Sequence, residues 1–279
     1  MTSLPQAKRF DWSNLRQRAL SALVLAALAI TAVVIGHWAF LVIIAAAAAL
    51  LANEWSLMTA PRSPLRVAAA ITVAVLVSVF AGFPFDRYDL AWALLPLGAV
   101  MSALVARGVA ERPQDAAFGA IYIGAPCLAV TWLRNAPHAL QGIEWTLLLL
   151  AVTWAADIGA FAIGNVVGGP KLWRRISPNK TWSGFVGGLV FAVAASVAVA
   201  FWAHIRLSVG AAALMGLVGG LATMAGDLLE SILKRRFGVK DSGDLIPGHG
   251  GLLDRVDGMM FAVLAVAAAR LIHLAGWAT

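Results

Sequence analysis

Nine apolar runs of 16 to 21 residues, separated by short charged or glycine- and proline-containing breaks, dominate the chain. They are Ala19 to Gly36, Trp38 to Met58, Val67 to Gly82, Leu90 to Ala106, Ala116 to Leu133, Ile143 to Ile163, Phe185 to Trp202, Val209 to Met224 and Met259 to Leu274. About 20 apolar residues carry a helix across the hydrocarbon core of a bilayer, so the pattern demands an all-α, polytopic integral membrane protein of about nine helices. Composition agrees, with 61% of the 279 residues hydrophobic and 13% charged, where soluble chains carry about 25% charge.

Charge placement orients the runs. Of the 21 lysines and arginines, 17 fall in the N-terminal tail or in alternate loops on its side of the membrane. The other side holds Arg87, Arg134 and Arg206, and Arg270 lies in the last run. Cytoplasmic loops carry the excess of cations, which puts the N-terminus in the cytoplasm and the C-terminus outside. Lys8, Arg9, Arg16 and Arg18 ahead of the first run resemble the start of a signal peptide, but eight further runs argue for a retained first helix. Merging two weak runs would give eight spans. The net charge of +7 is dispersed through these loops rather than gathered on one face, so nucleic acid is not an expected partner. One cysteine, Cys127, excludes both a disulfide framework and a thiolate metal cluster, and any metal must be held by oxygen. Most tryptophans sit near run ends as interfacial anchors. The pairs Gly184 with Gly188 and Gly216 with Gly220 have the spacing of close helix packing, which also leaves room for a homodimer.

Residues 1–140 contain almost nothing polar within their spans apart from Glu54, and are expected to form a supporting, lipid-facing region. Residues 141–279 gather charge in three places, with cytoplasmic loops at 164–184 and 225–258, and are expected to be catalytic. First, Asp157 lies inside an apolar run; an intramembrane carboxylate marks a functional site or a buried ion pair. Second, Gly168-Gly169-Pro170-Lys171 through Ser177-Pro178-Asn179-Lys180-Thr181-Trp182 offers glycine amides, the hydroxyls of Ser177 and Thr181 and four cations before a helix start. That composition suits a phosphate, or serves only to fix topology. Third, if the eighth helix continues past its apolar stretch, Asp227, Glu230 or Ser231, and Lys234 share one face, while Asp254 and Asp257 are one turn apart at the entry to the last helix. Carboxylates with water hold Mg²⁺ in partnership with substrate phosphates, and two such ions can flank an in-line displacement at phosphorus.

The stretch Ser231-Ile-Leu-Lys234-Arg235, followed after four residues by Lys240-Asp241-Ser-Gly-Asp-Leu-Ile-Pro247-Gly-His249-Gly-Gly-Leu-Leu-Asp254-Arg255-Val-Asp257, resembles the C-terminal motif of the phosphatidate cytidylyltransferase family. Asp157-Ile-Gly159 and Ser177-Pro178-Asn-Lys180-Thr181-Trp182-Ser-Gly184 resemble its upstream pattern, with Ser183 standing where an acidic or amide side chain is expected. The likeness covers roughly residues 150 to 262. It implies transfer of the cytidylyl group of CTP to phosphatidic acid, with Mg²⁺, at the cytoplasmic face of a bacterial-type inner membrane. It further implies Asp227 and Asp254 as metal ligands and Asp257 as a further ligand or supporting carboxylate. Ser231, Lys234, Lys240 and His249 are then phosphate contacts. Ser177, Lys180 and Thr181 approach from the opposite loop, and Arg235, Arg255 and Asp157 join the substrate site. A CTP-dependent kinase of a polyprenol or phytol type would use similar loops but leave CDP. A transporter of an anionic solute would need polar residues in several spans, and the first five lack them.

Overall fold

A computed structural model describes residues 12–135, 139–173, 176–246 and 250–276, with side chains from residue 21 onward. Within them lie nine helices: α1 (Trp12–Ile35), α2 (His37–Thr59), α3 (Pro64–Gly82), α4 (Tyr88–Ala106), α5 (Pro113–Arg134), α6 (Ala139–Val167), α7 (Trp182–Trp202), α8 (Val209–Arg236) and α9 (Leu253–Leu274). Between α6 and α7 stands an antiparallel ribbon, β1 (Lys171–Trp173) and β2 (Ser177–Thr181). Helices α2 to α9 are long and apolar enough to cross a membrane, and α1 carries the shorter apolar stretch Ser21–Ile35.

Local chemistry sets the ends. Pro64 and Pro113 occupy first turns of α3 and α5, where a missing N–H costs nothing. Thr181 and Ser208 cap α7 and α8 by accepting the amides of Gly184 and Ala211, at 3.1 and 3.2 Å. Gly36, at φ +67°, turns the chain between α1 and α2, a conformation a β-carbon disfavours.

One apolar cluster joins α2 to α5 with Leu233, Leu253 and Met260 of α8 and α9, and a second joins α5 to α9. Each half of the chain therefore packs directly on the other. The two small-residue faces are consumed inside this protomer. A β-carbon on Gly188 would stand 2.7 Å from the Ala156 carbonyl of α6, and one on Gly216 the same distance from Ala192 of α7.

Candidate active site

The two longest helices, α6 and α8, far exceed what a crossing needs. α6 has 29 residues and α8 has 28, about 43 and 42 Å at 1.5 Å per residue, against a hydrocarbon core of about 30 Å. α8 thus extends well beyond the apolar run ending at Met224. Asp227 lies within α8 with more than two turns after it, so that it, Glu230 and Lys234 share one continuous helix. The continuation is amphipathic: Glu230 faces the protein while Arg235 and Arg236 are exposed.

Lys180 of β2 forms an ion pair with Asp227. Both border a cavity of about 450 Å³ between α6, the ribbon, the start of α7 and α8, together with Asp157, Asn165 and Thr181. Phe161, Phe185, Met224 and Leu228 supply its apolar wall. Asp157 lies within electrostatic reach of Asp227, Lys180 and Arg255. Close contact of α8 with α9 brings in the second acidic stretch. A β-carbon on Gly226 would fall 2.5 Å from the Asp257 carbonyl, and one on Gly258 2.7 Å from Thr223, so only glycines permit the approach. Asp257 consequently feels the charges of Asp227, Glu230 and Asp157, and its Oδ1 accepts the Gly258 amide at 2.7 Å.

One turn further along, the half-buried Lys234 ammonium lies 2.6 Å from Glu230 and 2.5 Å from Asp254 Oδ1. Asp254 Oδ2 accepts the amides of Ser242 and Gly251, at 3.1 and 3.0 Å, and stands 3.1 Å from Ser242 Oγ. Gly250, at φ +83°, closes this loop, and a β-carbon there would press on the same carboxylate at 3.1 Å.

The remaining support comes from the N-terminal half, where sequence reasoning set Glu54 aside. Glu54, 3% exposed, accepts the amides of Leu252 and Leu253 at 2.7 and 2.8 Å and lies 3.1 Å from Ser242 Oγ. A carboxylate on the free amides of a helix start is stabilised by hydrogen bonding and by the helix dipole, so α2 fixes where α9 begins. Asp115 of α5 pairs with Arg236 at 2.7 Å, and its carbonyl accepts the Trp55 indole N–H at 2.9 Å. The only sequence signals for these contacts were isolated acids near the ends of apolar runs.

The other expected residues fall around this frame. Thr181 is buried as the α7 cap, and its Oγ1 lies 3.0 Å from Ser183 Oγ, which itself donates to the Gly168 carbonyl. Ser183 thereby ties the ribbon to the end of α6. Ser177 is half-buried in β2 opposite Trp173, and Ser231 is half-buried on α8. Lys240 and Arg255 are exposed. Arg235 is exposed too and donates to the Val239 carbonyl at 3.2 Å. His249 lies outside the described residues, as do Arg174 and Arg175 of the basic loop. Five acidic side chains, Asp157, Asp227, Glu230, Asp254 and Asp257, thus gather around the ammonium groups of Lys180 and Lys234 beside an apolar-walled cavity.

A model of the cytidylyltransferase family matches residues 16–273. Proteins named phosphatidate cytidylyltransferase from Brucella suis biovar 1 and Brucella melitensis biotype 1 are each 36% identical over 273 residues, 95% of this chain and 94% of theirs. One of the same name from Staphylococcus haemolyticus is 42% identical over 123 residues, 44% of this chain and 47% of its own.

Proposed function

The chain belongs to the cytidylyltransferase family, and we propose that it transfers the cytidylyl group of CTP to phosphatidic acid, giving CDP-diacylglycerol and pyrophosphate. The observation that carries this reading is the cavity of about 450 Å³, which has phenylalanine, methionine and leucine on its wall and Lys180, Asp157 and Asp227 at one place along it. An amphipathic substrate needs that pairing: acyl chains along the apolar wall, phosphate at Lys180. CTP reaches the same cluster from the side of the loop between α8 and α9, where Lys234, Arg235 and Lys240 meet its phosphates.

The donor set fits Mg²⁺. Every candidate ligand is a carboxylate oxygen, and each of Asp227 and Asp254 already holds a lysine ammonium, so both positions attract cations. Among the described residues no three acidic, histidine or cysteine side chains are grouped tightly enough to cage a metal. That suits an ion bound through one or two carboxylates and completed by substrate phosphates. Asp227 and Asp254 would hold one ion each, with Asp257 in support, and such ions would supply charge neutralisation on the phosphates. Lys180 and Lys234 are then free to turn from carboxylate to phosphate.

A phosphate oxygen of phosphatidic acid is already anionic near neutral pH, so the attack needs little general-base help. It forms a bond to the α-phosphorus of CTP, and the bond from that phosphorus to the bridging oxygen breaks as pyrophosphate leaves. Positioning the two phosphates in line, and balancing their charge, supplies the acceleration. CTP labelled at the α-phosphorus should pass its label to the organic phase only when phosphatidic acid is present, with one pyrophosphate released per lipid. Label reaching lipid only from γ-labelled CTP, with CDP left in the water, would assign a kinase instead. The cytoplasmic placement is tested by reporters: one at Lys240 should be active only in its cytoplasmic form, one after Thr279 only in its extracytoplasmic form.

A further inference from the structure

At the end of the bundle away from this site, a cavity of about 700 Å³ opens among the α1–α2 turn, the α3–α4 turn and the last turns of α5 and α9. Two arginines line it, Arg134 at 7% and Arg270 at 2% exposure. Among the described residues neither has a carboxylate within ion-pair distance, and the one acid on the cavity wall, Asp86, is exposed. Buried charges need partners, yet among the described residues these guanidiniums donate hydrogen bonds only to carbonyls. Arg134 Nε donates to Val33 O at 2.5 Å, and Arg270 Nη1 to Leu133 O at 2.7 Å while stacking 4.8 Å above Trp132.

Those carbonyls belong to the last turns of α1 and α5. A helix C-terminus carries about half a negative charge, so two of them offset about one of the two positive charges. Among the described residues neither guanidinium is paired with a carboxylate, which suits the phosphate of an anionic lipid. Gly36 makes room for the Arg134 guanidinium, since a β-carbon there would fall within it. The lip is apolar and open, with Trp38 60% and Leu274 61% exposed, as suits a molecule whose tail continues into the bilayer.

We propose that Arg134 and Arg270 form a second lipid site that holds the phosphate of an anionic phospholipid in the leaflet opposite the catalytic cluster. Two guanidiniums grip the phosphate oxygens as paired donors, Asn135 and His37 border the headgroup, and acyl chains leave past Trp38 and Leu274. The ligand is a resident of the fold rather than the substrate, because the cavity contains none of the carboxylate and lysine pairs of the catalytic end.

The test uses the delipidated full-length protein, with retained lipid counted by native mass spectrometry. Phosphatidylglycerol, a diester that cannot serve as the phosphate-monoester acceptor, should be kept about tenfold more strongly than phosphatidylcholine. Arg134→Gln and Arg270→Gln should each lose that preference, while Arg206→Gln, exposed on the same end, should keep it. Equal retention of both lipids by the wild type, or an unchanged preference in both glutamine variants, would overturn the site. Displacement of the lipid by millimolar inorganic phosphate, with equal thermal stabilisation, would overturn the lipid and assign the cavity to a free anion. A photoreactive residue replacing Trp38 gives a readout with both arginines intact. It should label phosphatidylglycerol in preference to phosphatidylcholine, and equal labelling would also overturn the proposal.

Discussion

The two ends of the bundle solve opposite electrostatic problems. At one end Glu54, Asp115, Asp227, Glu230 and Asp254 each meet a cation or a set of N–H donors, and acids outnumber the lysines among them. At the other, two buried arginines meet carbonyls and no acid among the described residues. A surplus of carboxylate recruits metal and the phosphates that travel with it, whereas a surplus of guanidinium recruits phosphate alone. On the two proposals above, both ends engage phospholipid, and the acidic end also assembles a metal-assisted phosphorus centre.

Substitutions at the acidic end test how far that contrast reaches. The largest loss is expected at the proposed metal positions: Asp227→Asn should lower turnover by about a hundredfold or more, about 2.7 kcal/mol in barrier, with little change in melting temperature. Retention of more than about a tenth of the wild-type rate, under 1.4 kcal/mol, would remove Asp227 from the metal site. Asp254→Asn should match that loss and also destabilise the fold by about 3 kcal/mol, since it uncouples a half-buried ion pair; melting and labelled-CTP assays on the same sample separate the two effects. Next comes Glu54→Ala, which strips buried amides of their acceptor and should cost about 2 to 3 kcal/mol of stability, with turnover lowered about tenfold. Glu54→Gln, which keeps one acceptor oxygen, should fall between it and the wild type. Asp115→Asn should cost at most about 1 kcal/mol, because its partner Arg236 is 42% exposed and water screens the pair. The smallest effect is expected of Arg87→Gln, at the opposite end, whose pairing with Asp89 is exposed on both sides. Turnover and melting should both be unchanged.

Much of this frame was legible because a bilayer filters sequence harshly. Every apolar run is part of a helix, and the breaks fall within a few residues of the observed turns. The apolar run of α8 stops at Met224, and only the one-face spacing of Asp227, Glu230 and Lys234 pointed to the continuation that reaches Arg236, which can become polar without ceasing to be a helix. The ribbon escaped notice because its strands have only three and five residues, with Pro178 in the second, and no alternating apolar pattern. At the site, the local motifs exposed Asp157, Lys180, Asp227, Lys234 and Asp254. Glu54 and Asp115 stayed hidden because their partners, Ser242 and Arg236, lie 188 and 121 residues away in the sequence, and no local spacing encodes such a contact.

The clamp of Glu54 on Ser242, Leu252 and Leu253 imposes an order on biosynthesis. Glu54 enters the membrane early, yet the amides it must hold belong to residues translated some 190 positions later. Until α9 has been inserted, the start of that helix has no fixed position, and Asp254 and Asp257 cannot be set against Lys234 and Asp227. A chain that ends at α8 contains the ribbon, Lys180 and Asp227 but lacks Asp254, Asp257 and the amides that Glu54 holds, so the acidic end is closed only when the last span joins the first half.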